Sequence, residues 1–396
     1  MRIRLSIMMF LNYFVWGAWY VTIGTYMAEE LGFTGIQIGS VYATNAIAAI
    51  ISPFFVGMIA DRFFASERVL GALHLIGAAA MLGATQVTEF GTFYGLILLY
   101  NLSFMPSIAL TNSLCFNQMD DPERQFPGVR LFGTIGWIVV GLGIIGPLSL
   151  DPTVYPLMIA AGAGLAMGLY SFTLPHTPPK AKGEKITARE IMGLDALALL
   201  RKRSFAVVVI ASVLICIPLS FYYTWANPFL NEIGFDNAAG WMTTGQMSEA
   251  IFLLVMPLAF ARFGVKWMLA IGMGAWALRY FLFAYGDVGS LEWMLLAGIV
   301  LHGICYDFFF VTGQIFVDKE APEHLKSSVQ GLITLATYGV GMFIGSNVSG
   351  YIADQNLMAD GTHSWNEIWM FPAMFSVAVL IVFLFSFGKT RQGSQA

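Results

Sequence analysis

The chain has 396 residues, of which 57% are hydrophobic and only 11% are charged, and its mean hydropathy is +0.71. A soluble domain of this length carries more charge, so the composition excludes a soluble globular protein and predicts an integral membrane protein. The net charge of −4 comes without a clustered basic face, so nothing indicates nucleic-acid binding.

Twelve apolar stretches follow one another, each near the roughly 20 residues that a helix needs to cross a bilayer. We therefore predict an all-α protein of twelve transmembrane spans, numbered in chain order, at residues 5–29, 36–59, 69–88, 92–116, 130–148, 154–174, 204–230, 239–260, 266–285, 291–316, 327–352 and 367–387. The first begins like a signal peptide, but its apolar run is too long and lacks a small-residue cleavage site, so we expect it to be retained.

Basic residues lie on one side of the predicted membrane. With the N-terminus inside, every Lys and Arg except Arg130 and Arg279 falls in a cytoplasmic loop or terminus, and the opposite loops contain none. Because short cytoplasmic loops carry the excess of Lys and Arg, we predict that both termini are cytoplasmic.

The two halves of the chain resemble each other. Residues 175–203 form the only long polar stretch and are predicted to link a six-helix bundle at 1–174 to a second at 204–396. At an offset of about 200 residues, "EELGF" returns as "NEIGF", and the loop with Arg62 returns as the loop with Arg262. A parallel repeat of six helices is one transporter plan, with the substrate site between the halves near mid-membrane.

The loop after the second span carries a known kind of motif. "GMIADRFFASERVLG" resembles the cytoplasmic signature of the major facilitator superfamily, although Phe64 stands where that signature has glycine. The resemblance implies that Asp61 and Arg62 latch the helices in one state of an alternating-access cycle. An ordinary solvated loop is the alternative interpretation.

Longer segments point to a narrower family. "FPGVRLFGTIGW", "GQMSEAIF", "AWALRYFLFAYGD" and "YDFFFVTGQIFVDKEA" resemble the matching segments of the bacterial nucleoside:proton symporter family. This resemblance implies proton-driven uptake of nucleosides across the bacterial cytoplasmic (inner) membrane. Protons are then the coupling ion, no other cofactor is expected, and the partners are a small-molecule substrate and the lipid bilayer, with the chain acting as a monomer.

Two carboxylates lie inside predicted helices. A carboxylate at the bilayer centre costs roughly 2.5 to 3.5 kcal/mol on insertion scales, so it is retained only with a partner or a wet cavity. Glu249 is near the middle of the eighth span, with Gln246 on the same helical face, and Asp307 follows Tyr306 in the tenth. Hydrogen bonds that only pack helices together are the alternative.

The fifth span offers a complementary stripe, because Arg130, Thr134 and Trp137 recur at i, i+4 and i+7 on one face. Arg130 could instead extend its side chain to the cytoplasmic surface. The family resemblance implies that substrate contacts are made by Arg130, Thr134, Trp137, Gln246, Glu249, Tyr306 and Asp307.

The seventh span departs from the family pattern. The family's amide contacts on this helix match Ser220 and Tyr223, which leaves the substrate range open. Pro218 and Pro228 remove backbone hydrogen bonds and predict an interrupted helix, with either a gating role or a simple kink as its meaning.

Three isolated polar side chains receive structural interpretations. Arg279 in the ninth span is expected to reach the outer surface near Asp287. His74 and His302 are single imidazoles without metal-ligand spacing, which favours hydrogen-bonded core residues over ligands.

The resulting hypothesis is secondary transport, with Glu249 or Asp307 taking up a proton because burial favours the neutral form of a carboxyl. A superfamily transporter for another neutral solute, such as a sugar, is the alternative. An intramembrane enzyme or metal site is not expected, since the histidines are scattered and Cys115, Cys216 and Cys305 are isolated.

Overall fold

The computed structural model describes residues 1–62, 64–178, 194–322 and 325–388, without the side chains of 53–62, 122–123 and 327. Within these ranges the chain is helical, and its β-structure is limited to one isolated bridge between Leu357 and His363. Nine helices in the same ranges are long and apolar enough to cross a membrane, and Tyr155–Ser171 is a shorter apolar helix.

Each of the first six predicted spans is helical. In chain order they are Arg2–Gly17 with Ile23–Glu29, then Gly35–Arg62, Ser66–Ala84, Phe90–Gln118, Pro122–Val140 with a π-helical end at Gly141–Ile145, and Tyr155–Ser171.

The last six spans are helical as well, after a short 3₁₀ helix at Leu194–Arg201. The seventh is Arg203–Glu232, and the eighth and ninth share Ala238–Tyr285. The remaining spans contain the helices Glu292–Val300, His302–Tyr306, Asp307–Val311 (π) and Thr312–Glu320, then Lys326–Thr334, Leu335–Gly341 (π) and Met342–Gln355, then Trp365–Ser386.

The break between the eighth and ninth spans rests on a single glycine. Gly264 has φ 68° and ψ 173°, a conformation that lacks a steric penalty only without a Cβ. The helix therefore turns there without a loop of its own, between the predicted spans 239–260 and 266–285.

The first span is interrupted, whereas the seventh span, for which an interruption is predicted, is continuous. Arg203–Glu232 runs as one helix through both Pro218 and Pro228, so the prediction of an interrupted seventh span is wrong. The first span is divided by a turn at residues 18–22. The carbonyl of Pro218 accepts a hydrogen bond from the hydroxyl of Tyr280.

Acidic side chains cap the N-terminal ends of helices. Glu89 accepts hydrogen bonds of 2.7 Å from the backbone N–H of Gly91 and of Thr92 at the start of the fourth span. Asp354, from the end of the eleventh span, accepts from Gly35 and, at 2.9 Å, from Ile36 at the start of the second. These carboxylates satisfy N–H groups that the first helical turn leaves without a partner.

The chain forms two compact units. Unit 1 contains Met1–Ile186, Phe221–Gln246 and Ser346–His363, and unit 2 contains Thr187–Ser220, Met247–Gly345 and Ser364–Ala396. The division into 1–174, linker 175–203 and 204–396 stays a prediction, and most of that linker, residues 179–193, lies outside the described residues.

Each unit has its own core. In unit 1 buried side chains from the helices of the first, third, fourth, fifth and sixth spans form a continuous cluster that includes Leu5, Met8, Leu70, Leu114 and Met167. In unit 2 Met256, Ala259, Met268 and Phe308 pack together, and Trp276, Tyr280 and Trp369 form a stack with ring centroids 6.0 and 5.7 Å apart. Large apolar side chains such as Leu254 and Phe385 are exposed, which suits a surface facing lipid.

Candidate functional site

The eighth and tenth spans meet at Gly303. A Cβ on this residue would lie 2.6 Å from the backbone carbonyl of Ser248 and 2.7 Å from the nitrogen of Glu249. The N–H of Gly303 also donates a hydrogen bond of 3.0 Å to the hydroxyl of Ser248. Only glycine permits this approach, and it brings Glu249 beside the residues that flank Gly303.

Glu249 and Asp307 therefore belong to one cluster in unit 2. The Glu249 carboxylate is about one-third exposed and lies 3.9 Å from Nε2 of the fully buried His302. Asp307 is 1% exposed, interacts electrostatically with Glu249, and has one carboxyl oxygen, Oδ2, without a hydrogen-bond partner among the described residues. The two carboxylates that the sequence singled out are neighbours in the fold.

Asp307 also starts a local change in helix geometry. The segment Asp307–Val311 is π-helical, which widens the helix by one residue in a turn directly after Tyr306. Such single π-turns are often found at functional sites. The eleventh span has a longer π-helical segment, Leu335–Gly341, and the hydroxyl of its Tyr338 lies 2.7 Å from that of Tyr306.

Arg279 lies inside unit 2, so the expectation that it reaches the outer surface near Asp287 is wrong. The side chain is fully buried, its Nε donates a hydrogen bond of 2.9 Å to the carbonyl of Gly298, and the guanidinium lies 4.9 Å from the ring of Trp276. It interacts electrostatically with His302. Packing of the ninth span against the tenth directs the side chain inward.

Unit 1 contains a chain of aromatic rings next to the fifth span. The guanidinium of Arg130 lies over the ring of Tyr13 at 4.1 Å, so the side chain packs against the first span. Trp137 meets Trp16 edge-on at 5.6 Å, and Gly17 leaves the space for the Trp137 ring. A cationic side chain beside aromatic rings suits a planar, polar ligand.

The aromatic chain continues to the seventh span. Trp16 contacts Tyr20 at 5.5 Å, and Tyr20 contacts Tyr223 at 5.4 Å, with Tyr223 half-buried. Of the predicted substrate contacts, Arg130, Trp137 and Tyr223 are thus linked through the first-span rings Tyr13, Trp16 and Tyr20, and we call these six side chains the aromatic wall. Thr134 lies half-buried on the same helix as Arg130 and Trp137.

The four remaining predicted residues are Ser220, Gln246, Asp61 and Arg62. Ser220 is fully buried, and its hydroxyl donates a hydrogen bond of 2.9 Å to the carbonyl of Cys216 in its own helix. Gln246 is half-buried, one turn before Glu249. Asp61 and Arg62 end the second span, and their side chains lie outside the described residues.

Among the residues that the structure describes, no group of three or more His, Cys, Asp or Glu side chains could hold a metal ion. His74 is the hydrogen-bonded core residue expected from the sequence, since its Nε2 lies 3.0 Å from the amide oxygen of Asn12. The residues described at the candidate site carry carboxylates, hydroxyls, aromatic rings and basic groups.

Comparison with known proteins decides the family. A model of the family described as nucleoside H+ symporter matches residues 1–392. The chain belongs to this family. Proteins similar to it include the putative nucleoside transporter YegT of Escherichia coli (strain K12), which is 43% identical over 98% of this chain and 94% of the relative. The xanthosine permease of the same organism is 34% identical over 97% of this chain and 95% of the relative.

Solved structures agree with this assignment. A crystal structure of the nucleoside transporter NupG has a TM-score of 0.91 at 30% identity, covering 98% of this chain and 99% of that chain. The POT family transporter PepTSo, at 15% identity and a TM-score of 0.72, shares the fold alone. This nucleoside H+ symporter family member is thus a multi-pass membrane transporter with the twelve-helix major facilitator fold.

Tyr13 and Tyr20, next to the fifth and seventh spans, and Tyr338, next to Tyr306, are not predicted from the sequence. Tyr13, Trp16 and Tyr20 follow one another at i, i+3 and i+7 in the first span, and this spacing could have identified the aromatic face. Tyr338 has no such signal, because only the fold of the tenth and eleventh spans brings its hydroxyl to Tyr306.

Proposed function

We propose that this nucleoside H+ symporter imports nucleosides, that Arg130, Thr134, Trp137, Tyr223, Gln246 and Tyr306 contact the substrate, and that Glu249 and Asp307 hold both substrate and proton. The hydroxyl of Ser220 is buried and donates within its own helix, so we do not expect it to contact the substrate.

One observation supports the coupling role most directly. Asp307 is almost fully buried, and its Oδ2 has no hydrogen-bond partner among the described residues. An ionised carboxylate with a desolvated, unpartnered oxygen is costly, and a bound proton or a substrate hydroxyl removes that cost. The neighbouring negative charge of Glu249 adds to the cost of keeping both carboxylates ionised.

The aromatic wall of unit 1 supports a nucleoside as the substrate. The base of a nucleoside is flat and stacks on aromatic rings, and Trp137 and Tyr223 are half-buried aromatic side chains of this wall. The ribose hydroxyls both donate and accept hydrogen bonds, so carboxylate and amide groups such as Glu249 and Gln246 suit them. The relatives YegT, xanthosine permease and NupG are named for nucleoside transport or for a nucleoside, which agrees with this choice.

Substrate and proton favour one shared closed state, and this preference couples their movement through an alternating-access cycle. Asp61 and Arg62 act in that cycle as a conformational latch. The chain works as a monomer in the bacterial cytoplasmic membrane, with both termini in the cytoplasm, as the distribution of basic residues supports.

Uptake into proteoliposomes tests the proposal. Purified protein is given labelled uridine, with and without an inward proton gradient, and a panel of nucleosides, bases and sugars competes for uptake. We expect the gradient to drive uptake and nucleosides to compete. Competition by sugars alone would favour the other-solute alternative, and absence of nucleoside uptake under the gradient would overturn the proposal.

Two carboxylate variants then test the coupling. We expect Glu249→Gln and Asp307→Asn to lose gradient-driven accumulation, whereas Glu292→Gln, an exposed carboxylate at the start of the tenth span, keeps it. If correctly inserted Glu249→Gln and Asp307→Asn proteins both transport with the wild-type pH dependence, these side chains do not carry the proton.

A further inference from the structure

Two buried basic side chains lie in the same unit as Glu249. His302 and Arg279 are both fully buried, and neither is among the proposed substrate contacts. Burying a cation is expensive unless other groups stabilise it, so the fully buried Arg279 needs a physical reason. Glu249 and Asp307 are the negative groups of the same cluster.

Arg279 is held firmly in place. Its Nε donates to the carbonyl of Gly298 at 2.9 Å, and its guanidinium lies 4.9 Å from the ring of Trp276. An arginine keeps its charge under all ordinary conditions. The ninth span therefore supplies a permanent, immobile positive charge to the interior of unit 2.

The imidazole of His302 connects this charge to Glu249. Arg279 interacts electrostatically with His302, and Nε2 of His302 lies 3.9 Å from Oε2 of Glu249. The imidazole also lies nearly parallel to the ring of Tyr306, with centroids 6.1 Å apart at 23°. The charged and titratable groups facing His302 are thus Glu249 from the eighth span, Arg279 from the ninth, and Tyr306 from its own.

We propose that His302, backed by the charge of Arg279, is a positioning residue for proton coupling that holds the Glu249 carboxylate beside Asp307. The positive charge of Arg279 disfavours a second positive charge on the buried ring, so His302 acts as a neutral imidazole whose polar Nε2 side faces the carboxylate at 3.9 Å. The attraction between that polar group and the negative charge is strong where water is excluded. His302 acts through Glu249 and does not touch the substrate. The inference rests on the proposed role of Glu249 and Asp307.

The test compares two transport modes of the full-length protein in proteoliposomes. Gradient-driven uridine accumulation depends on proton coupling, whereas exchange of labelled for unlabelled uridine without a gradient depends on the substrate site alone. We expect His302→Leu to lower the ratio of accumulation to exchange by about tenfold, the size of an ordinary coupling energy. We also expect the pH profile of accumulation to shift by about one pH unit.

Conservative variants separate positioning from mere packing. His302→Gln keeps an amide donor towards Glu249, and Arg279→Lys keeps the buried charge, so both should retain more coupling than His302→Leu and Arg279→Met. The matched control is His74→Gln, a buried histidine of unit 1 that is hydrogen-bonded to Asn12, which should leave the ratio unchanged.

The outcomes keep the two ideas apart. A wild-type protein that neither accumulates nor exchanges nucleosides would overturn the proposed function itself. A wild-type protein that does both, with His302 variants matching its ratio and pH profile, would overturn only the role of His302. If the leucine variant fails to give monodisperse protein, His302→Asn, which draws the polar group back from Glu249, decides: a wild-type ratio and pH profile would reject the inference, and a lowered ratio would support it.

Discussion

Asn227 of the seventh span donates a hydrogen bond of 2.6 Å to the carboxylate of Asp151, although 76 positions separate the two residues. The same carboxylate oxygen accepts from Asn231 at 3.4 Å and from the N–H of Ala239 at 3.1 Å. Asn227 in turn accepts a hydrogen bond of 2.5 Å from Thr25. Within unit 1, a loop carboxylate thus ties the first, seventh and eighth spans together.

Removing this carboxylate should destabilise unit 1. Asp151 is 2% exposed, so Asp151→Ala leaves several donors buried without an acceptor, at about 1–3 kcal/mol for each group that finds no water. Asp151→Asn keeps the accepting oxygen and should lose much less. Thermal unfolding of purified protein measures both, and equal midpoints for the alanine variant and the wild type would contradict the prediction.

The same site gives a pH dependence of defined sign. Burial raises the pKa of Asp151 above its ordinary value of 3.8, and the hydrogen bonds it accepts oppose this shift only in part. The folded state therefore holds a proton that the unfolded state releases, and stability falls as pH rises from the ordinary pKa to the raised one. Asp151→Asn does not titrate and serves as the reference. As pH rises over that interval, the unfolding temperature of the wild type should fall relative to that of Asp151→Asn, and at higher pH the difference between the two should stay constant. A difference that grows in favour of the wild type with rising pH would contradict this sign.

The close approach of the eighth and tenth spans predicts that Gly303 tolerates no side chain. Gly303→Ala places a methyl group 2.6 Å from the backbone of Ser248, so the helices must separate, at about 1–3 kcal/mol. We expect lower stability together with weaker nucleoside binding. Gly162→Ala is the matched control, because no atom lies within 4 Å of its added Cβ. Equal behaviour of the two variants would count against the contact.

The hydroxyl pair of Tyr306 and Tyr338 predicts coupled effects. Loss of either hydroxyl removes the same 2.7 Å hydrogen bond, worth about 0.5–1.5 kcal/mol. Tyr306→Phe and Tyr338→Phe should each raise the KM for uridine by about twofold to tenfold. The double variant should add little beyond the larger single effect, and fully additive effects would show that the two hydroxyls act independently.

Arg130 should not be replaceable by lysine. Its planar guanidinium lies over the ring of Tyr13, and an ammonium neither stacks in this way nor forms the same fork of hydrogen bonds. We expect Arg130→Lys to raise the KM for uridine by about tenfold, and Arg130→Met to raise it further. Arg124→Lys, an exposed arginine of the same helix, should keep the wild-type KM. Wild-type transport by Arg130→Lys would show that only the positive charge at this position matters, and not the shape of the guanidinium.

The sequence predicts the spans well for a physical reason. A bilayer demands about 20 apolar residues for each crossing, so every span leaves a long signal, and Glu249 and Asp307 stand out against it. Side-chain contacts between spans leave no such signal. Arg279 shows the limit, because hydropathy gives its depth in the membrane, while the direction of its side chain depends on how the ninth span packs against Gly298 of the tenth.

The aromatic wall shows a second limit. Periodicity identifies Arg130, Thr134 and Trp137 as one face, but their partners Tyr13 and Trp16 are chosen by the close packing of the first and fifth spans at Gly17 and its neighbours. The division of the first span at residues 18–22 also escaped prediction, since no proline marks it, whereas the two prolines of the seventh span are accommodated in a continuous helix.

The π-helical segment Asp307–Val311 has a consequence for chain length. A wide turn of this kind absorbs one residue more than an ordinary helix would hold in the same rise. Deleting a single residue there would restore regular geometry and rotate Tyr306 by about 100° relative to the residues that follow, at 3.6 residues per turn. The span would still cross the bilayer, yet Tyr306 would leave Tyr338, and so the length of the helix, as much as its side chains, specifies the site.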